Sequence, residues 1–174
     1  MQRLNIEIKA RCANPDKIKN ILANQEAKFI GEDHQIDTYF IVPNGRLKLR
    51  EGNIENALIH YQRENQSGPK QSDVLLYKAE PNPSLKAVLA KALGILGVVD
   101  KMRAIYFIGN VKFHVDQVKT LGSFVEIEAI DKDGSIGREK LLEQCNAYMD
   151  LLGIKESDLV EVSYSDLIMK KESE

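Results

Sequence analysis

The chain is 174 residues long, 43% hydrophobic and 29% charged, with 24 basic and 26 acidic side chains and a formal charge of −2. That length suggests one domain with a sizeable core, assigned to residues 1–170 with 171–174 as a frayed tail. The composition excludes a collagen-like or disordered chain, and the near-even charge balance gives no basic excess that would point to nucleic acid.

In chain order, a strand is expected over 2–11. Its start carries charges and no apolar h-region, so no secretory signal is expected. Asn14-Pro15-Asp16 combines an N-cap, a first-turn proline and a first-turn acid, and opens a helix to about Glu26. Strands follow over 37–42 and 46–51, joined as a hairpin by Pro43-Asn44-Gly45, and then over 57–64 and 73–80. Ser84 caps a helix to Leu93, with Leu85, Val88, Leu89 and Ala92 at helical spacing and Gly94 ending it. That stripe reads as a face covering the sheet and, second, as a dimer surface. Strands over 98–108, 110–117 and 122–130 come next, the first two joined at Gly109-Asn110. A last helix spans 138–152, with Leu141, Leu142, Cys145, Tyr148, Met149 and Leu152 apolar. The longest apolar runs, such as Gly94 to Val99, fall far short of the roughly 18 residues of a membrane helix. Cys12 and Cys145 make neither a disulfide framework nor a metal knuckle, and a reducing cytoplasm is the default setting. The fold class expected is α+β: an antiparallel sheet of about eight strands closed into a barrel, with helices outside.

Strand side chains alternate between two faces. Leu4, Ile6, Ile8 and Ala10 oppose Glu7, Lys9 and Arg11; Leu47 and Leu49 oppose Arg46, Lys48 and Arg50; Val125, Ile127 and Ala129 oppose Glu126 and Glu128. An ordinary sheet puts charges on its wet face. Here, however, the polar faces carry almost no Ser, Thr or Gln, and the charges are sorted by sign. With the apolar side covered by helices, the polar side becomes the lumen, holding Glu7, Lys9, Arg46, Lys48, Arg50, Arg63, Lys78, Lys101, Arg103, Asp116, Glu126 and Glu128. So many bases in a confined space require counter-ions. A polyphosphate with bound magnesium is the ligand class this implies. His34 and His60 are read as structural, whereas His114 shares its strand face with Asp116. Tyr39 and Tyr106 are read as core between barrel and helices rather than as base-stacking groups.

The ordered pieces resemble the CYTH superfamily, the triphosphate tunnel metalloenzymes, which includes class IV adenylyl cyclases, thiamine triphosphatases and inorganic triphosphatases. Asn5-Ile6-Glu7-Ile8-Lys9 occupies the place of the E-x-E-x-K signature. Gln35 to Phe40, Gly45 to Glu51, Lys101-Met102-Arg103 with Tyr106, and Val125-Glu126-Ile127-Glu128 are similar to later family strands. Tyr61-Gln62-Arg63 and Gly68-Pro69-Lys70-Gln71-Ser72 resemble the branch around the class IV cyclases.

The resemblance implies a tunnel that grips a triphosphate end-on. It makes Glu7, Glu126, Glu128 and Asp116 ligands for Mg²⁺ or Mn²⁺, and Lys9, Arg46, Lys48, Arg50, Arg63, Lys78, Lys101 and Arg103 phosphate contacts. Lys9, Arg63, Lys101 and Arg103 are the catalytic candidates, and Lys70 sits in a Gly-Pro loop read equally as a lid over the nucleotide or as a solvated loop carrying that lysine. The substrates implied are ATP for cyclisation to cyclic AMP and pyrophosphate, or thiamine triphosphate or inorganic triphosphate for hydrolysis. The protein is expected in the cytoplasm as a homodimer, bound to neither membrane nor nucleic acid. One departure stands out. Asn5 replaces the first signature glutamate, which removes a negative charge from the metal set and raises the alternative of a triphosphate-binding module with impaired catalysis.

Overall fold

The structure is a computed structural model that describes residues 2–63 and 65–174. Position 64, the end of the strand expected over 57–64, lies outside the described residues. Eight strands form a closed barrel: β1 (Gln2–Arg11), β2 (Lys28–Phe40), β3 (Arg46–Glu51), β4 (Asn56–Arg63), β5 (Lys70–Lys78), β6 (Ile95–Ile108), β7 (Val111–Val118) and β8 (Gly122–Asp131). Their order around it is β1-β5-β4-β3-β2-β6-β7-β8, with β8 pairing back onto β1 and every pairing antiparallel. Four α-helices accompany it: α1 (Pro15–Asn24), α2 (Pro83–Leu93), α3 (Arg138–Leu152) and α4 (Tyr164–Glu172). Among the described residues, no helix is long and apolar enough to cross a membrane.

The two-residue alternation decides what is covered. Ile6, Ile8 and Ala10 of β1, Val111, Phe113 and Val115 of β7, and Val125, Ile127 and Ala129 of β8 point outward. They meet Ile18 and Leu22 of α1 and Leu141, Cys145, Met149 and Leu152 of α3. Each fully buried aliphatic side chain in such a layer contributes about 1.5–3 kcal/mol. Tyr106 belongs to this outer layer, as expected, with its ring 4.9 Å from that of Phe29.

Several boundaries differ from the expectation. Asn82, not Ser84, caps α2: its side chain accepts from the Ser84 N–H, and Pro83 fills the first helical position. β2 begins at Lys28, nine residues before the strand expected from 37; Glu32, Asp33, His34 and Gln35 put polar side chains on both faces and leave no hydrophobic period there. β5 begins at Lys70, so this lysine is a strand residue and not part of a lid loop. α4 went unread and runs to Glu172, through two of the four residues expected to fray. Ser163 and Asp166 cap it reciprocally, and Lys171 Nζ donates to the Thr120 carbonyl at the β7–β8 turn.

α4 changes the character of one barrel end. Tyr39, Ala57, Ile59, Tyr61, Val74, Val99, Val118 and Phe124 form a second apolar cluster, and Tyr164, Leu167 and Ile168 of α4 pack into it. These strand residues share the inward face with the charged ones, and α4 meets both kinds: Tyr164 packs on Phe124 and bonds Asp116, and Asp166 pairs with Arg46. Tyr39 is therefore inside the barrel and not between barrel and helices.

Candidate functional site

Strand register arranges the inward charges in layers. Glu7 pairs with Glu128 and with Lys70, Lys9 with Glu126, His114 with Glu126, Lys112 with Glu128, and Asp37 with Arg50. Lys9, Arg50, Lys70, Lys101, Arg103 and Lys112 are all buried. Long basic side chains are almost never buried unless paired.

Most of their partners lie within the barrel. Asp37, 1% exposed, accepts from Arg50 Nε at 2.9 Å, Arg50 Nη2 at 2.8 Å and Lys101 Nζ at 2.6 Å, with Lys48 Nζ at 3.5 Å. Burial alone would raise its pKa, but these three cations hold it well below the usual carboxylate range. Arg103 donates through Nε and Nη2 to both oxygens of Asp116, at 2.8 and 2.7 Å, and also to Glu126 at 2.8 Å. The Tyr164 hydroxyl donates to the same Asp116 at 2.7 Å. Arg63 pairs with Glu7 at 2.7 Å, and Arg46 with Asp166 of α4 at 2.7 Å.

The segment leading into α4 takes up further donors. Lys9 Nζ donates to the Val162 carbonyl at 3.2 Å and lies 4.0 Å from the centre of the Tyr164 ring. Lys70 Nζ donates to the Glu161 carbonyl at 2.8 Å. Burial is the main reason that Lys9 and Lys101 are each brought down to about 7 and Lys70 to about 8.

Of the residues named from sequence, the barrel thus gathers Glu7, Lys9, Arg46, Lys48, Arg50, Arg63, Lys70, Lys101, Arg103, Asp116, Glu126 and Glu128 along its inner wall. Lys78 keeps the inward parity of β5 but lies exposed at the strand's end, opposite Ala57. His34 and His60 stay outside, bonded to Asp100 and to the Asn44 carbonyl. Sequence reasoning missed Asp37, Lys112, Tyr164 and Glu55. For Asp37 a signal existed: Asp33, Gln35 and Asp37 share one parity once β2 is started at residue 28. Glu55 sits in the β3–β4 turn, where no periodicity marks it.

The donor set suits a hard divalent cation in kind. Glu7 and Glu128 face each other in register, and Asn5, 1% exposed, turns a carbonyl oxygen inward with no hydrogen-bond partner while its amide donates to Glu128. Magnesium is commonly held by one or two carboxylates, with substrate phosphates and water completing the shell. Among the described residues, no three His, Cys, Asp or Glu side chains converge on one point, because Glu7 is engaged by Arg63 and Glu126 by Arg103. Asp116, with both oxygens occupied, orients Arg103 in this arrangement.

The lysine titrations lead to a prediction. Any binding of tripolyphosphate inside the barrel is expected to weaken as pH rises from 6 to 9, because Lys101 and Lys9, each with a pKa near 7, lose their positive charge. Binding at pH 8 then takes up protons, which calorimetry in buffers of different ionisation enthalpy reads directly. Proton uptake that is unchanged in Lys101→Arg would overturn the assignment.

The chain is similar to several known proteins. A Methanocaldococcus jannaschii protein named "putative adenylate cyclase" is 26% identical over 94% of this chain and 98% of its own length. The PH1012 protein of Pyrococcus horikoshii is 28% identical, with a TM-score of 0.76 over 94% of this chain and 98% of that one. The Hippeastrum protein HpAC1, described as a putative adenylyl cyclase with a dominant triphosphatase activity, shares the fold alone, at 16% identity and a TM-score of 0.61 over 98% of this chain and 96% of that one. The CYTH domain model matches residues 3–164, almost the whole barrel and the segment that leads into α4, and the chain belongs to that family.

Proposed function

We propose that the chain binds a triphosphate inside the barrel and turns it over with Mg²⁺ or Mn²⁺. The observation that carries this reading is the set of buried cations, Lys9, Arg50, Lys101 and Arg103, converging on a polar lumen. Buried cations held in place by fixed carboxylates in a low-dielectric space are strong electrophilic stabilisers where negative charge develops. Arg103 and Lys101 neutralise the phosphoryl oxygens, and Asp116 and Asp37 hold those two side chains at fixed positions. Arg63 screens the phosphate from the inner wall, and a hollow of about 480 Å³ lies beside it, between Gln66, Lys70 and the outer face of β4 and β5. Lys9, titrating near neutral pH, holds or releases a proton at Nζ. A divalent cation on Glu7, Glu128 and the Asn5 carbonyl would supply Lewis acidity toward the same oxygens.

Cyclisation of ATP, in which the ribose 3′-hydroxyl attacks the α-phosphorus and pyrophosphate leaves, is the reaction we assign first. The Gly68-Pro69-Lys70-Gln71-Ser72 segment and the name of the Methanocaldococcus relative support it. Hydrolysis of thiamine triphosphate or inorganic triphosphate is the second reading. What favours it is that the hollow beside the inward-facing Arg63 and Lys70 is walled by polar side chains, with Gln62, Gln71 and Asp73 coming from the outer face of the sheet, and offers no apolar slot for a base. Incubation with ATP, thiamine triphosphate and inorganic triphosphate, with Mg²⁺ or Mn²⁺, separates the readings. Cyclic AMP with pyrophosphate is the expected outcome. Orthophosphate release establishes the hydrolase, and binding without product establishes an impaired module. Absence of binding by all three overturns the proposal.

A further inference from the structure

We propose that the end of the lumen opposite α4 is an additional phosphoryl-binding subsite, formed by Lys112, Arg50 and His114, and that the carboxylate of Glu55 occupies it until a phosphoryl group displaces it. The proposal rests on the triphosphate reading above and adds to Arg50, which the family-like strands already mark, Lys112 and His114, which they do not.

The turn between β3 and β4 is built to deliver this carboxylate. Asp33, fully buried, accepts from the N–H groups of Ile54 and Glu55, each at 2.9 Å. Gln35 Nε2 donates to Asp33 at 2.8 Å and to Glu55 Oε1 at 3.1 Å. A Cβ at position 52 would lie 2.7 Å from both Asp33 Oδ1 and the Glu55 carbonyl, so only glycine fits there. The backbone of the turn is thereby pinned, and Glu55 projects into the barrel. Its carboxylate pairs with Lys112 Nζ, and with Arg50 Nη1 at 3.6 Å. Burial raises its pKa, but Lys112 and Arg50 outweigh that and bring it to about 2.

A carboxylate between two lumen cations presents the same chemistry as a phosphoryl oxygen. The difference lies in mobility. The Glu55 side chain is 29% exposed and has solvent to swing into, whereas Lys112 and Arg50 are 9% and 8% exposed and remain. His114 supplies an independent observation. It is 3% exposed, and neither ring nitrogen has a hydrogen-bond partner. The charges acting on it are Arg103 of β6, Lys112 of its own strand, Arg50 of β3 and Glu126 of β8. A buried polar group without a partner is costly, and an imidazole N–H among three cations is completed by an anionic acceptor. The Glu55 carboxylate does not bond it; a tetrahedral phosphoryl group with three oxygens reaches more donors than a planar carboxylate with two.

The test is calorimetric titration of inorganic tripolyphosphate into wild type, Glu55→Gln, Lys112→Met and the double variant, with thermal unfolding of each. Glu55→Gln is expected to unfold at lower temperature yet to bind tripolyphosphate about fivefold tighter, because a tethered competitor has gone. Lys112→Met is expected to bind more weakly, and the gain from Glu55→Gln to vanish in its background. Equal or weaker binding by folded Glu55→Gln, with wild type binding, overturns the subsite and leaves the triphosphate reading intact. Binding by neither protein overturns both. In ¹⁵N-histidine-labelled wild type, which needs no variant to fold, tripolyphosphate is expected to shift the His114 ring nitrogens. An unmoved ring also overturns the subsite.

Discussion

Asp37→Asn is expected to destabilise the fold by about 3–5 kcal/mol and to lower its thermal midpoint by about 10 °C or more. The side chain is 1% exposed and receives Arg50, Lys101 and Lys48 together. Neutralising it leaves three cations in a desolvated space with Glu55 the nearest remaining acid for Arg50. Breaking a buried pair from one side costs more than the pair contributes, because the orphaned charge cannot regain water. The pH dependence has a definite sign. A carboxylate with a depressed native pKa stabilises the fold above its unfolded value of about 3.9 and stops doing so as pH falls through the native value. The gap between wild type and variant is therefore full at neutral pH and closes only in strong acid. Saturating tripolyphosphate should raise the midpoint of the variant more than that of wild type, since the ligand returns the missing negative charge. Thermal unfolding with and without tripolyphosphate reads both effects, and a midpoint within a degree or two of wild type would refute the role given to Asp37.

This aspartate also shows what the sequence could and could not convey. The barrel was legible because the outer face of β1, β7 and β8 is apolar at alternate positions through the middle of each strand, and the charges between them had only the inside to occupy. β4 obscured the picture: its inward residues Ala57, Ile59 and Tyr61 are apolar, and the exposed or half-buried Leu58, His60 and Gln62 point out. Part of the interior is thus an apolar cluster completed by α4. The lumen bases were readable from runs such as Arg46-Leu47-Lys48-Leu49-Arg50. Of their counter-charges, Glu7, Asp116 and Glu126 were readable from the same alternation, whereas Asp37 stood at the edge of its expected strand, Glu55 comes from a turn, and Asp166 from a helix that went unread. A count of bases against acids on signature strands alone therefore overstates how much negative charge a ligand must bring.

Asn5→Glu is expected to reverse its effect on stability when divalent metal is added. Asn5 donates its amide to Glu128 and leaves its carbonyl oxygen inside the barrel without a partner. A glutamate there sets a second carboxylate against Glu128, whose own pKa is already raised, by burial above all and then by Glu7 and Glu126. Without metal the like charges should destabilise the fold by about 1–3 kcal/mol. With Mn²⁺ the same charges become ligands. Affinity in oxygen-donor sites follows the number of carboxylates, so Mn²⁺ should bind at least about tenfold tighter. At about a hundred times the dissociation constant the metal then returns ~2.7 kcal/mol, enough to place the variant at or above wild type. Electron paramagnetic resonance of free Mn²⁺ gives the affinity and thermal unfolding gives the stability, both independent of turnover. If the lost carboxylate is what limits the wild-type site, triphosphate turnover should rise with the metal affinity. A folded variant with unchanged Mn²⁺ binding would show that position 5 does not face the metal, and that Glu7 and Glu128 hold it without help from that strand position.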